Sequence, residues 1–222
     1  MNSRMPLIII LAVLIIAAGG GYWMYQNGLS GNQRQPQTSS TDATSATSPS
    51  NDSAMPEQRS SIVIEEFGDY QCPPCGNLHP LITGIKKDYG NRIRFVFHHF
   101  PLTNIHANAN PAAQAAVAAG YQNKFWEMHN LLYDNQKAWS DVPDLTPVVT
   151  SFARTIGLDV DRFLSDMKSP RTASTIASDV EQAMRRGVDS TPTLFINGEK
   201  IPYENYGSES LRQEIDRRLT TK

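Results

Sequence analysis

Two cysteines separated by two prolines, Cys72-Pro73-Pro74-Cys75, are the only cysteines in the 222 residues. At this spacing a disulfide closes a small ring with little backbone change. A helix starting here places the first sulfur beside unpaired N–H groups at the positive end of the dipole, which favours its thiolate. A low-pKa sulfur is a good leaving group, so the chemistry indicated is reversible thiol–disulfide exchange. Cys72 is then the exposed sulfur that forms a mixed disulfide, and Cys75 the resolving thiol. Pro73 and Pro74 suit a first helical turn, which needs no N–H from them. They also remove two donors, so the Cys72 thiolate must rely on Cys75, Gly76 and the dipole. Moderate rather than extreme thiolate stabilisation is expected.

Two blander readings compete. A structural metal site normally needs a second ligand pair, which His79, four residues after Cys75, together with His98, His99, His106 and His129, would have to supply. A structural disulfide across two residues closes too short a loop to stabilise much. Neither a metal nor an organic cofactor is expected. Glu66, six residues before Cys72, is either a solvated strand-end carboxylate or a buried acid with a raised pKa that takes the proton of Cys75. Glu65 and Asp69 read as surface or turn residues, and His79 as a surface or partly packed one.

The elements around this pair follow from periodicity and punctuation. Ile62-Val63-Ile64 leading into Phe67 reads as a buried strand, and the alternation from Arg92 to Phe100 as a second. Between them, Pro73 to about Asp88 reads as a helix stopped by Gly90. Helix punctuation then recurs, with Asn110-Pro111, Thr146-Pro147 and Ser169-Pro170 as starts and Gly120, Gly157 and Gly187 as stops. Asp159 reads as a further cap. Thr193 to Ile196, an Asn197-Gly198 turn and Lys200 to Pro202 form a hairpin, and a last helix spans about Ser208 to Leu219. The order predicts an α/β fold, a four-stranded mixed sheet interrupted by a helical insert.

The N-terminal region differs in kind. Leu7 to Ala18 is wholly Leu, Ile, Val and Ala, Arg4 precedes it, and Tyr22-Trp23-Met24-Tyr25 follows soon after. It reads as a membrane anchor with the bulk of the chain outside the cytoplasm, in the periplasm or at the cell exterior. A cleaved signal peptide, which would leave a soluble exported protein, is the alternative. The Ser, Thr, Asn and Gln-rich stretch to Ser60 reads as a disordered tether with a span of roughly 30–35 Å. The chain carries 20 Lys and Arg against 22 Asp and Glu, a net charge of -2, and this balance gives no electrostatic footprint for nucleic acid.

With these residues in place, the run Glu66-Phe67-Gly68-Asp69-Tyr70-Gln71-Cys72-Pro73-Pro74-Cys75 resembles the active site of the thioredoxin superfamily, and within it the DsbA-like thiol:disulfide oxidoreductases. His98 to Leu102, Lys124 to His129 and Val188-Asp189-Ser190-Thr191-Pro192-Thr193 are similar to further segments of that family. The resemblance implies a thioredoxin-like fold with a central mixed sheet of four to five strands and an inserted helical subdomain. It implies that Glu66 is the buried acid, that Pro80 kinks the active-site helix, and that the Thr191-Pro192 bond is cis and packs against Cys72. The backbone of Thr191 would then pair with an extended substrate. The implied organisation is a cytoplasmic end at 1–6, an anchor at 7–24, a linker at 25–60, a thioredoxin-like first half at 61–103, the helical insert at 104–190 and the second half at 191–222. Pro-Pro stands where the best-known oxidases of the family carry Pro-His. The activity implied is disulfide formation in exported proteins, with reoxidation by a quinone-linked, DsbB-like membrane partner. A reductase or isomerase fed by a membrane thiol donor, and a redox-gated holdase, are the alternatives. A monomer is expected.

Overall fold

The structure is a computed structural model that describes residues Ile62–Thr220. The segments expected at 7–24 and 25–60 lie outside the described residues. Among the described residues no helix is long and apolar enough to cross a membrane.

The first strand, β1 (Ile62–Gly68), pairs in parallel with β2 (Ile93–His99), Ile62 opposite Ile93 and Gly68 opposite His99. Helix α1 (Pro73–Tyr89) connects them. Because strand side chains alternate, Ile62, Ile64 and Glu66 share one face of β1 and Val63, Glu65 and Phe67 the other. The first face joins Cys75, Leu78, Ile82 and Ile85 of α1 in the main core. On the second face Phe67 packs with Phe195, Ala183 and Val188. The buried residues of α1, Cys75, Leu78, His79, Ile82, Ile85 and Tyr89, recur at helical spacing. Pro80 lies inside α1, and its missing N–H deprives the Gly76 carbonyl of its usual donor. Gly90, at φ 53°, ends the helix in the left-handed region that glycine enters at little cost.

Every helix between β2 and the next strand is amphipathic or buried. They are α2 (Ala109–Gly120), α3 (Phe125–Asp134), α4 (Gln136–Trp139), α5 (Thr146–Thr155), α6 (Val160–Met167) and α7 (Pro170–Arg185). The alanine-rich α2 lies at the centre of this bundle, against α3, α6 and α7. Asp159 and Ser169 cap α6 and α7, accepting from the N–H groups of Arg162 and Thr172. Two expected caps are corrected. Asn110 and Thr146 lie inside their helices, which have Asn108 and Leu145 at the cap positions. The Asp144 carboxylate, one residue further out, accepts the Thr146 N–H at 2.9 Å and leaves Thr146 free to be helical.

The sheet is completed by β3 (Thr193–Ile196), antiparallel to β1, and β4 (Glu199–Lys200), giving the order β2-β1-β3-β4. The hairpin turn is at Asn197 (φ 51°) and Gly198 (φ 82°), the two positive values of a type I′ turn. The partner strand is shorter than expected and displaced, since Pro202 has no N–H to extend the ladder and the chain coils into a 3-10 turn at Tyr203–Asn205. Helix α8 (Ser208–Thr220) closes the fold, burying Leu211 and Ile215.

Gly68, where β1 delivers the chain to the cysteine turn, has no room for a side chain. A Cβ there would lie 2.5 and 2.7 Å from two ring carbons of buried Phe97. Gly68→Ala should therefore destabilise the protein by about 1–3 kcal/mol, the range for overpacking a core, as read by urea unfolding. A loss under about 0.5 kcal/mol would show that Phe97 moves aside freely.

Candidate functional site

Cys72 occupies the cap position of α1 (φ −71°, ψ 119°) and Cys75 the third position of its first turn. Both are free thiols. Cys72 is more enclosed than a sulfur read as exposed, with 5% of its surface accessible against none for Cys75. A tight turn presents it, in which the Cys72 N–H donates to the Asp69 carbonyl at 3.1 Å. Gly76, expected to serve the sulfur, instead donates its N–H to the Cys72 carbonyl at 3.1 Å. This closes the first helical ring and removes Gly76 from the thiolate's donors.

The opposite wall is the Thr191-Pro192 segment, whose peptide bond is cis. In the dithiol the Cys72 thiol donates to the Thr191 carbonyl at 3.4 Å. That carbonyl cannot partner a thiolate. The Thr191 hydroxyl is buried and has no hydrogen-bond partner in the dithiol, and its side chain favours the Cys72 thiolate. Beside it runs a groove of about 510 Å³ lined by Pro74, Thr191, Pro192, Ile201, Pro202 and Tyr203, among others. Tyr203 is 65% exposed.

Three acids divide the protons of this site. Hydrogen bonding from the Cys75 thiol, opposed by burial and helped by the Thr191 hydroxyl, lowers Cys72 to about 6. Burial, together with its hydrogen bond to Cys72 and the Glu66 charge, pushes Cys75 well above the usual thiol range. Glu66 is 2% exposed and its Oε1 has no hydrogen-bond partner. Burial, reinforced by the Cys72 charge and eased by Lys86, raises it to about 8. The solvated reading of Glu66 is thereby overturned, since it points from β1 into the core that Cys75 also faces.

Asp69 builds the turn expected of it, its Oδ1 accepting the Gln71 N–H, but it and other residues are more buried or differently partnered than expected. Asp69 is buried, 1% exposed, and its carboxylate accepts from the N–H groups of Gln71 and Leu102 and from His106. Glu65 is on the far face of the sheet. A bond from His98, then two from Arg186 at 2.7 and 3.0 Å, outweigh burial and hold it at about 2. His79 is buried against Tyr133 and His129, with ring centroids 5.0 and 5.2 Å away. Among the described residues no three His, Cys, Asp or Glu side chains converge where they could hold a metal ion.

Several positioning residues carry no recognisable signal in the sequence. Gln136 of α4 donates from Nε2 to the carbonyls of Tyr70 and Cys72 at 2.7 and 2.8 Å. Gln71 bonds Ser140 and Asn108, so the insert grips both sides of the cysteine turn. Lys86, whose charge favours the Glu66 carboxylate, does have a signal. It lies eleven residues after Cys75, on the stripe Cys75, His79, Ile82, Lys86 of one helix face.

Glu66 and Cys72 give opposite pH dependences to the dithiol protein. Glu66 rises from 4.5 to about 8 on folding, so the native state keeps a proton that the unfolded chain has lost, and stability falls as pH climbs through that window. Cys72 drops from 9.0 to about 6, so it adds stability over the upper part of the range that is lost as pH falls through 6. Glu66→Gln should stabilise the dithiol protein at pH 8 relative to pH 5 by a few kcal/mol, at about 1.4 kcal/mol per pKa unit. Urea unfolding at the two pH values reads this, and equal differences would refute it. Pro74→His should lower the Cys72 pKa further and make the disulfide more oxidising, because it supplies a polar ring and a backbone N–H near the sulfur. A thiol titration that is unmoved or displaced upward would reject that expectation.

The thioredoxin family's sequence model matches residues 50–217. Among solved structures, the chain is similar to a thioredoxin-like oxidoreductase from Silicibacter pomeroyi DSS-3, at 25% identity and a TM-score of 0.59 over 72% of this chain and 87% of that one. It is similar in fold to oxidised BdbD from Bacillus subtilis, at 19% identity and a TM-score of 0.66 over 74% and 90% of the two chains. The Na(+)/H(+) antiporter NhaA 1 of Salinispora arenicola is 37% identical over 168 residues, 75% of this chain and 24% of its own. NhaA 3 of Salinispora tropica is 37% identical over 153 residues, 68% of this chain and 22% of its own. The chain thus spans about a quarter of the length of these curated relatives. With a family match across most of the chain, a mixed sheet of the right order and a Cys-x-x-Cys pair facing a cis proline, the chain belongs to the thioredoxin family.

Proposed function

We propose that the protein is a thiol:disulfide oxidoreductase of the DsbA type that works through Cys72 and Cys75 as a disulfide-forming oxidase on exported proteins. The observation that carries this reading is the division of protons, with Cys72 near 6, Cys75 held protonated and Glu66 near 8. A stabilised thiolate exists only in the dithiol, so it favours the reduced enzyme and makes the disulfide an oxidant.

In the oxidising direction a substrate thiolate attacks Cys72 Sγ. The Cys72–Cys75 bond breaks, Cys75 leaves as a thiolate and takes a proton from the neutral Glu66 carboxyl. A second substrate thiolate then attacks the substrate sulfur of the mixed disulfide and expels Cys72 as a thiolate. The substrate gains a disulfide, and the enzyme gains two electrons. Pro73 and Pro74 start the helix without competing for hydrogen bonds. Pro192 and Thr191 wall the sulfur, and an extended substrate lies along the groove past Pro74 and Tyr203. Reoxidation requires a disulfide donor, for which a quinone-linked membrane protein is the partner proposed. The apolar segment 7–24 anchors the domain outside the cytoplasm, as a monomer.

The test is the redox state of the pair in the cell of origin, trapped by acid and alkylation. A disulfide in most molecules is expected, and a dithiol in most would reverse the direction to reduction or isomerisation. Cys72→Ala should abolish oxidation of a reduced dithiol peptide. Should the variant still suppress aggregation of unfolded chains as well as the wild type does, a holdase whose cysteines only gate it becomes the better reading.

A further inference from the structure

The turn that presents Cys72 is built on Asp69. The Asp69 carbonyl accepts the Cys72 N–H at 3.1 Å, and Oδ1 accepts the Gln71 N–H at 2.8 Å. The remaining oxygen, Oδ2, accepts the Leu102 N–H at 3.0 Å and meets His106 Nδ1 at 2.6 Å. A carboxylate oxygen has no proton to give, so Nδ1 is the donor. A bond of this length to an ionised acceptor belongs to the strong, charge-assisted class.

Two observations make this bond more than a loop fastening. The Asp69 side chain has no accessible surface while that of His106 retains 16%, so the imidazole is the group linking a fully buried charge to the solvent side. The Asp69 charge also acts on the reacting sulfur. Hydrogen bonding from Cys75 dominates the Cys72 thiolate, and Asp69 works against it. A buried charge three residues from the sulfur, in the same turn, matters in proportion to how well it is neutralised by its other neighbours.

We propose that His106 is a positioning residue for exchange at Cys72: by holding the Asp69 carboxylate in a charge-assisted hydrogen bond, it draws that charge off the sulfur and makes Cys72 a better leaving group. The inference rests on the exchange reading given above. His106 touches neither sulfur nor substrate. It acts through Asp69 alone, and the backbone bonds of Asp69 to Gln71 and Leu102 keep the carboxylate in place whether or not the imidazole is there.

The experiment is a double-mutant cycle in the full chain with His106→Gln, Asp69→Asn and the pair. Thiolate titration is read from the pH dependence of Cys72 alkylation, and the equilibrium constant against glutathione is measured beside it. His106→Gln should raise the Cys72 titration by roughly half to one unit, a three- to tenfold change in proton affinity. It should shift the glutathione equilibrium toward the disulfide by a similar factor. Asp69→Asn should lower the titration, and adding His106→Gln to it should change nothing further. An unmoved titration in His106→Gln, or the same shift in the Asp69→Asn background, overturns the proposal. A purely structural role would lower the melting temperature and leave the titration in place. Should Asp69→Asn not fold, His106→Phe replaces it, because a side chain with no donor must raise the titration further than Gln does, and equal shifts overturn the idea. Alkylation needs no disulfide partner. A wild-type protein that fails to exchange with glutathione therefore refutes the exchange reading, while the titration still decides the role of His106.

Discussion

Cys72, Cys75 and Glu66 share room for one negative charge among them, and the arrangement of the site follows from that constraint. Glu66 and Cys75 are buried and each feels the Cys72 charge, while the Glu66 charge in turn opposes that of Cys75. Only Cys72 sits at the mouth, at a helix start, with donors on two sides. It takes the charge, and the two groups below keep their protons because a second or third charge in low dielectric costs too much. A proton reserve next to Cys75 is the direct consequence. Lys86 sits in the same field, its ammonium over the Trp126 ring at 3.9 Å, and keeps the Glu66 carboxylate attainable.

Holding that geometry is a task shared between the sheet and the insert. The parallel pair of β1 and β2 aims the cysteine turn out of the C-terminal end of β1, and β3 brings the Thr191-Pro192 segment against it from the other side. The insert then fastens the turn from above. Gln136 binds two carbonyls of the turn, and Asn108 spends its side-chain amide on the carbonyls of Ser140 and Val142. These are neutral donors to carbonyls in or near the core, where an unmet acceptor is costly. The helical subdomain is therefore part of the active-site support and not only a cover for the core.

The far face of the sheet shows a second use of buried charge. Arg186, at the end of α7, forks onto Glu65 of β1 and lies over the Phe195 ring at 3.7 Å. His98 of β2 bridges Glu65 and Asp179, 3.3 Å from each. A planar guanidinium satisfies a carboxylate and an aromatic face at once, which an ammonium does less well. The network ties three elements together immediately before Gly187 and Val188 lead into the cis-proline segment.

How much of this was legible beforehand follows a physical division. The cysteine pair, the helix starts at Ser169 and Asp159, the Asn197-Gly198 turn and the alternation of β2 are local, and local propensity with turn chemistry declares them. The alternation Ile62, Ile64, Glu66 even held the answer on Glu66, since period two puts it on the core face, and only its charge argued for solvent. The burial of Asp69 and the roles of His106, Gln136 and Asn108 gave no such sign, because they depend on partners more than thirty residues away in the chain. The misplaced caps have in part the same cause: Asn108, at the cap position of α2, spends its side chain on carbonyls more than thirty residues away, while Asp144 accepts the Thr146 N–H. By itself the sequence determined which residues carry the candidate chemistry and which elements hold them. Only the tertiary structure decided which charges are buried together, and it is that shared burial which sets where the protons stay and so what the two sulfurs can do.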